Sequence, residues 1–171
     1  MNEPTVLNQL GCFIISFQHV EAALTELLVL MSLMSDEDNV DDEMVRILVN
    51  ELEFSKRVAT TEVIFARFVD LRCKSEQAEK QEFHKLITEI KDLGTRRNDI
   101  VHSKYLTWIS VDGVNGLLKR NSKLRGGKGI REIVEEELNS KTLQTDVEKL
   151  DSTLKNLESF RIKVINWLHP E

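Results

Sequence analysis

Residues 6–34, VLNQLGCFIISFQHVEAALTELLVLMSLM, contain the most apolar run of the chain. Large apolar side chains recur there every three or four positions, which is the period of one helix face. They are Val6, Leu10, Phe13 or Ile14, Phe17, Val20, Leu24, Leu27, Met31 and Met34. Because His19, Glu21 and Glu26 interrupt the run, the pattern predicts a long amphipathic helix packed against other helices rather than a membrane span.

Three further segments show the helical period. The second covers residues 44–71, with a bend expected near residues 54–55, and follows the acidic break SDEDNVDD at residues 35–42. Carboxylates in that position favour a helix N-terminus. The third covers residues 75–102, and the fourth, at residues 140–169, carries leucines and valines at near-heptad spacing.

The pattern changes between the third and fourth helices. Residues 105–111 are rich in aromatic and β-branched side chains, Asp112 and Gly113 signal a turn, and residues 114–118 predict a returning strand. The basic segment that follows is expected to be a loop. Residues 130–138 fit either a short strand or an acidic helical turn.

Length and composition are those of one soluble domain, residues 1–171, with 41% hydrophobic and 30% charged residues. Helices joined by short loops usually pack antiparallel. The sequence therefore predicts an all-α protein, an up-and-down four-helix bundle with a small β-hairpin insertion before the last helix. Cys12 and Cys73 form no metal-type pair, and the acidic, polar start is unlike a secretory signal, so we expect a cytoplasmic protein without membrane attachment.

Charge is distributed unevenly. The net charge of −6 argues against a broad nucleic-acid-binding surface. Residues 119–131, KRNSKLRGGKGIR, nevertheless hold six basic residues and no acid. This segment is either a solvated loop or a contact for an RNA backbone. The candidate RNA-binding residues are Lys119, Arg120, Lys123, Arg125, Lys128 and Arg131.

The segment RRNDIVH, residues 96–102, carries the candidate catalytic groups. On a straight helix Asn98 and His102 share a face, whereas Arg97 and His102 lie about 140° apart. Either the helix loosens near His102, or two copies of the chain supply residues to a shared cleft. Arg97 also continues an apolar stripe, where a charge is costly unless it meets an anion or an interface. Both considerations favour a homodimer.

These residue types suit metal-free phosphodiester chemistry. An Arg fork binds phosphate oxygens and the charge that develops on them, and a neutral His takes a proton from a 2′-hydroxyl. Asn98 would orient the His or bind the phosphate. Asp99 alone does not make a two-metal site, and the histidines show no ligand spacing, so no metal and no cofactor are expected.

The order Arg97, Asn98, His102, written RNDIVH, resembles the R-x4-6-H motif of the HEPN family. Those proteins are helical bundles, and many are metal-independent ribonucleases. Three other stretches resemble the same family: SFQHVEAALTELL (residues 16–28), LEFSKRVATTEVI (residues 52–64) and VHSKYLTW (residues 101–108). The resemblance implies a dimeric endoribonuclease with a toxin or phage-defence role, RNA as substrate, and an antitoxin or regulatory partner.

Several alternatives remain open. Arg96 also satisfies the family spacing, but Arg97 is preferred because Asn98 follows it. Members modified by a nucleotidyltransferase carry Tyr two residues after the His, whereas Tyr105 is three after. Arg96, Glu21, Asp99 and Tyr105 are therefore expected only as support, with Glu21 either a solvated edge residue or a buried partner of Arg96 or Arg97.

Simpler interpretations accompany these. Arg97 and His102 would suit a helix C-terminus merely as cations. Trp108 and Tyr105 either stack an RNA base or bury the hairpin against the bundle. The alternative function is a non-catalytic module of the same fold that binds RNA, a nucleotide or a protein.

Overall fold

The computed structural model describes residues 5–33, 42–109, 115–125, 127 and 129–169. These residues form five α-helices, one 3-10 turn and one three-stranded sheet. In chain order the elements are α1 (Val6–Ser32), α2 (Asp42–Asn50), α3 (Phe54–Arg72), the 3-10 turn (Lys74–Glu76), α4 (Ala78–Val101), β1 (Lys104–Ile109), β2 (Asn115–Arg125), β3 (Ile130–Leu138) and α5 (Ser140–Leu168).

The mostly helical chain with a small antiparallel sheet before the last helix is confirmed. Two details differ from the sequence prediction. The second helix is divided into α2 and α3, which are separated by three residues just before the bend expected at 54–55. The basic segment, predicted to be a loop, continues β2 as far as Arg125. Of the two alternatives for residues 130–138, the strand is the one that forms.

Local signals fix the ends of the long helices. The side chain of Thr5 accepts a hydrogen bond from the backbone N–H of Asn8 (3.2 Å), and Asn139 accepts one from Thr142 (2.8 Å). Both are N-caps that satisfy a backbone donor which the helix itself leaves open. Thus α1 and α5, the two longest helices, each begin at a capping residue.

An aromatic cluster joins the helices. The rings of Phe65 (α3) and Phe83 (α4) stack with centroids 4.0 Å apart, and Phe160 (α5) meets Phe83 edge-on at 5.0 Å. Phe13 and Phe17 of α1 are also fully buried in the same core. Helix α1 packs against α3 and α5, α3 against α4, and α4 against α5. Burial of these rings removes a large apolar area from water and holds the helices together.

Helix α1 is long and apolar enough to cross a membrane, as judged by its length and a mean hydropathy of 1.5. Half of its most apolar window is buried inside the protein. The core helix of a soluble protein meets the same criterion of length and hydropathy.

The sheet has the order β1-β2-β3 and is antiparallel throughout. Its alternating side chains define two faces. Leu117, Lys119 and Leu138 are buried on the face toward the helices. The opposite side, here called the outward face, carries the positions that alternate with the inward ones along each strand. They are Lys104, Leu106 and Trp108 on β1, Gly116, Leu118, Arg120 and Ser122 on β2, and Arg131, Ile133, Glu135 and Glu137 on β3.

Candidate functional site

His102 lies at the junction between α4 and the sheet. It is the C-cap residue of α4, and its backbone N–H donates to the carbonyl of Asn98 (3.0 Å). Two residues later the chain has already entered β1. The imidazole is exposed, and it makes no hydrogen bond or ion pair with any residue that the structure describes. It is therefore available to a ligand.

His102 borders a basic cleft of about 250 Å³ between the end of α4 and the outward face. Arg131 donates to the hydroxyl of Ser122 (2.9 Å), and the Nε of Arg120 donates to Glu135 (2.5 Å). Clustered cations of this kind attract phosphate groups. The residues that line the basic cleft are His102, Lys104, Arg120, Asn121, Ser122, Arg131 and Ile133.

Arg97 faces a different element. Its guanidinium lies over the ring of Phe17 in α1, 5.8 Å from the centroid, and donates to the side-chain oxygen of Asn98 (3.1 Å). It is not among the described residues that line the basic cleft. Although α4 ends at Val101, just before His102, the described part of one chain does not bring Arg97 to the basic cleft that His102 borders.

Arg96 is held by a set of acidic side chains. It donates two hydrogen bonds to Glu136, each 2.8 Å long, and a third to Asp146 (2.9 Å). The bonds to Glu136 raise the pKa of Arg96 above its usual value. A guanidinium engaged in this way on β3 and α5 is a structural group. The alternative of Arg96 as the active arginine is accordingly disfavoured by its contacts, and Arg97 is left as the candidate.

Lys119 is buried, with only 1% of its surface exposed, so its prediction as an RNA contact is wrong. Its ammonium group pairs with Asp99 of α4 and with Glu136 of β3 (2.6 Å). The side-chain amide of Asn121 also donates to Asp99 (2.9 Å). Arg96, Asp99, Lys119, Glu136 and Asp146 together form what we call the ion network.

Electrostatics within the ion network follow these contacts. The hydrogen bonds from Arg96 hold the pKa of Glu136 below its usual value, and Lys119 acts in the same direction. Buried charges require such pairing because their desolvation is expensive. The ion network links α4, β2, β3 and α5 directly behind the outward face.

Tyr105 and Glu21, two of the residues expected to support the site, contact other parts of the protein than Arg97 and His102. The Tyr105 hydroxyl donates to the backbone carbonyl of Ile100 (2.6 Å), its ring packs on the core, and burial raises its pKa. Of the two interpretations, burial of the hairpin is the one that applies to Tyr105. Glu21 is partly buried on α1 and is not among the described partners of Arg96 or Arg97, so of its two interpretations the buried partner finds no support.

The other predicted RNA contacts divide by position. Arg120 and Arg131 are exposed and line the basic cleft. Lys123 and Arg125 lie in β2, but their side chains are outside the described part, and Lys128 is wholly outside the described residues. Sequence reasoning missed Lys104. Lys104 lies opposite Arg120 in the β1–β2 pair, and this neighbour relationship can be known only once the register of the two strands is known.

In the described part of the chain, no group of three or more His, Cys, Asp or Glu side chains is placed to hold a metal ion. Comparison with protein-family models, with curated proteins and with solved structures gives no match for this chain. What the site can do must therefore be argued from its own residues.

Proposed function

We propose that the protein is a metal-independent endoribonuclease of the HEPN family that acts as a homodimer. The observation that carries this proposal is the exposed imidazole of His102 in the basic cleft, one helical turn beyond Asn98 and five residues after Arg97. An imidazole among cations is suited to a polyanion whose 2′-hydroxyl must lose a proton.

The proposed fold is an up-and-down bundle of the four long helices α1, α3, α4 and α5. Ion pairs between α4 and α5 support an antiparallel arrangement of these two. Arg96 near the end of α4 meets Asp146 near the start of α5 (2.9 Å), and Glu79 near the start of α4 meets Lys163 near the end of α5 (2.7 Å).

In the proposed reaction, His102 removes the proton from a ribose 2′-hydroxyl. The 2′-oxygen attacks the adjacent phosphorus, and the bond from phosphorus to the 5′-oxygen breaks. The protonated imidazole or water returns a proton to that leaving oxygen, so the products are a 2′,3′-cyclic phosphate and a 5′-hydroxyl. Arg97 stabilises the charge on the phosphate oxygens, and Asn98 orients the Arg97 guanidinium by accepting its hydrogen bond. Lys104, Arg120 and Arg131 hold the flanking phosphates.

A second copy of the chain would supply Arg97 to the basic cleft of its partner, because Arg97 contacts Phe17 rather than that cleft within one chain. The resemblance to the HEPN family further favours a cytoplasmic toxin or phage-defence role with an antitoxin or regulatory partner.

The proposal is tested by incubating the protein with total RNA in EDTA. Arg97→Ala and His102→Ala should each abolish cleavage, whereas the exposed controls Arg67→Ala and His19→Ala should retain it. Equal activity in all variants would identify a contaminating nuclease and refute the proposal.

Mixing the two inactive variants tests the shared site. If Arg97 and His102 come from different copies, half of the dimers regain one intact site, and activity returns to about a quarter of the wild-type value. No recovery in a mixture that exchanges subunits would contradict a site built from two copies.

The separation of Arg97 from His102 in one chain also favours a second candidate, a non-catalytic module that binds RNA, a nucleotide or a protein. It predicts binding of RNA in EDTA with no 2′,3′-cyclic phosphate product. Product analysis of the same incubations distinguishes the two functions.

A further inference from the structure

We propose that the outward face of the sheet selects single-stranded RNA, with phosphates in the basic cleft and an unpaired base stacked on Trp108. This inference rests on the proposed function, since it takes RNA as the substrate. It adds the class of RNA, and it decides between the two interpretations of Trp108 in favour of base stacking.

The indole ring of Trp108 lies close to the sheet because the residue opposite it has no side chain. Gly116 is its partner across the β1–β2 pair, and a Cβ atom at Gly116 would overlap the indole ring. The ring therefore lies over the backbone of β2. With 37% of the residue still exposed, the indole is open to solvent and offers a surface on which a base can stack.

The same face leads from Trp108 to the basic cleft. Lys104, Leu106 and Trp108 alternate along β1, so all three side chains project from the outward face. At about 3.3 Å per residue, Lys104 and Trp108 are roughly 13 Å apart. That distance corresponds to roughly four nucleotides at the 3.4 Å spacing of a stacked strand. Leu106, exposed between them, provides an apolar floor.

Acidic residues limit the path on one side. Glu135 and Glu137 lie on β3, opposite Arg120 and Leu118 respectively. Their carboxylates would repel a phosphate backbone, so the strand is directed along β1 and β2 rather than across the whole sheet. Duplex RNA keeps its bases inside the helix, whereas single-stranded RNA exposes them for stacking on aromatic rings. The flat indole therefore favours an unpaired substrate.

The test uses the fluorescence of Trp108. The chain has two tryptophans, and Trp167 packs against Phe65 and Phe68 in the core, so Trp167→Phe leaves Trp108 as the sole tryptophan, which is excited selectively at long wavelength. A 2′-O-methylated octauridine is the probe, because it lacks the attacking hydroxyl and is not cleaved by the proposed reaction. We expect it to quench the emission, and a fully 2′-O-methylated duplex of equal length to leave the emission unchanged.

Affinity measurements complete the test. Trp108→Ala should weaken binding of the octauridine by roughly 5- to 150-fold, the range expected for the loss of one base–aromatic stack. Trp108→Phe should retain most of the affinity, and Val63→Ala, an exposed apolar site on α3, should change nothing. Far-UV circular dichroism checks that each variant is folded.

Three outcomes overturn the inference. The first is unaltered affinity in Trp108→Ala, and the second is equal quenching by the duplex. The third is a fall in solution mass in Trp108→Ala, which would make the Trp108 ring itself a contact between copies rather than a surface for a base. If Trp108→Ala binds normally while His102→Ala abolishes cleavage, only this inference fails. Absence of both binding and cleavage in the wild type refutes the proposed function as well.

Discussion

The buried ammonium group of Lys119 is paired with the carboxylate of Asp99, which joins the middle strand of the sheet to the last turn of α4. Asp99 lies between Asn98 and Val101, inside the candidate catalytic segment. The pair therefore sets where His102 stands relative to the outward face. Arg96 extends the same connection to β3 and α5 through Glu136 and Asp146.

Replacing Lys119 by Met should destabilise the fold by about 1–3 kcal/mol, because the partly buried carboxylates of Asp99 and Glu136 each lose a charged hydrogen-bond donor. Urea unfolding followed by circular dichroism measures the change. Arg120→Met is the matched control, since the neighbouring side chain is exposed and its loss should change the unfolding free energy by less than about 0.5 kcal/mol. Equal midpoints for both variants would show that the ion network contributes no stability.

Acid should weaken the fold through Glu136. Its pKa lies below the usual 4.5 because Arg96 donates hydrogen bonds to it. The folded state thus binds this proton less readily than the unfolded state, so Glu136 stabilises the protein above pH 4.5, and this contribution is lost as the pH falls through the lower folded value. The difference in unfolding free energy between wild type and Glu136→Gln should shrink on acidification. A difference that is independent of pH would contradict this assignment.

Neutralising Glu135 should strengthen RNA binding. Glu135 pairs with the Nε of Arg120 at the edge of the basic cleft, and exposed pairs of this kind are weak. Glu135→Gln releases Arg120 and removes a negative charge from the outward face, so affinity for the octauridine should rise about 2- to 5-fold at low salt. Filter binding at two salt concentrations measures the change, and Glu148→Gln on α5 serves as a control. A weaker or salt-independent interaction would exclude a phosphate contact by Arg120.

Two helical glycines should respond oppositely to a methyl group. A Cβ at Gly94 would overlap the Phe54 ring, so Gly94→Ala should cost about 1–3 kcal/mol through overpacking. At Gly11 nothing lies within 4 Å of such an atom, and Gly11→Ala should stabilise α1 by about 0.5–1 kcal/mol. Thermal unfolding compares the two directly. A stabilising Gly94→Ala would mean that Phe54 is free to move aside.

The helical part of this fold could be predicted because each long helix buries a stripe that is legible in sequence. The bend expected near residues 54–55 lies close to the gap between α2 and α3, although the chain divides there into two helices. In contrast, the basic segment resembles a solvated loop when only composition is considered. It is a strand because β3 pairs with it, and that pairing depends on residues that follow it in the chain.

The candidate site was predictable only in part for a related reason. Six cations between residues 119 and 131 are equivalent in a linear sequence, yet strand alternation sends Lys119 inward and Arg120 outward. Whether an inward lysine is tolerated depends on Asp99 and Glu136, which come from distant segments. Likewise, Arg96 and Arg97 are adjacent in sequence, but only the tertiary contacts show that Arg96 forms ion pairs with Glu136 and Asp146.

Along β2, inward positions anchor the scaffold and outward positions meet the solvent. An evolving lineage would thus be able to exchange Leu118, Arg120 or Ser122 for other residues, altering what the sheet recognises, while Lys119 continues to hold the architecture. Alternate residues of one strand thus separate two properties: the outward residues can change the ligand preference, while the inward residues preserve the fold.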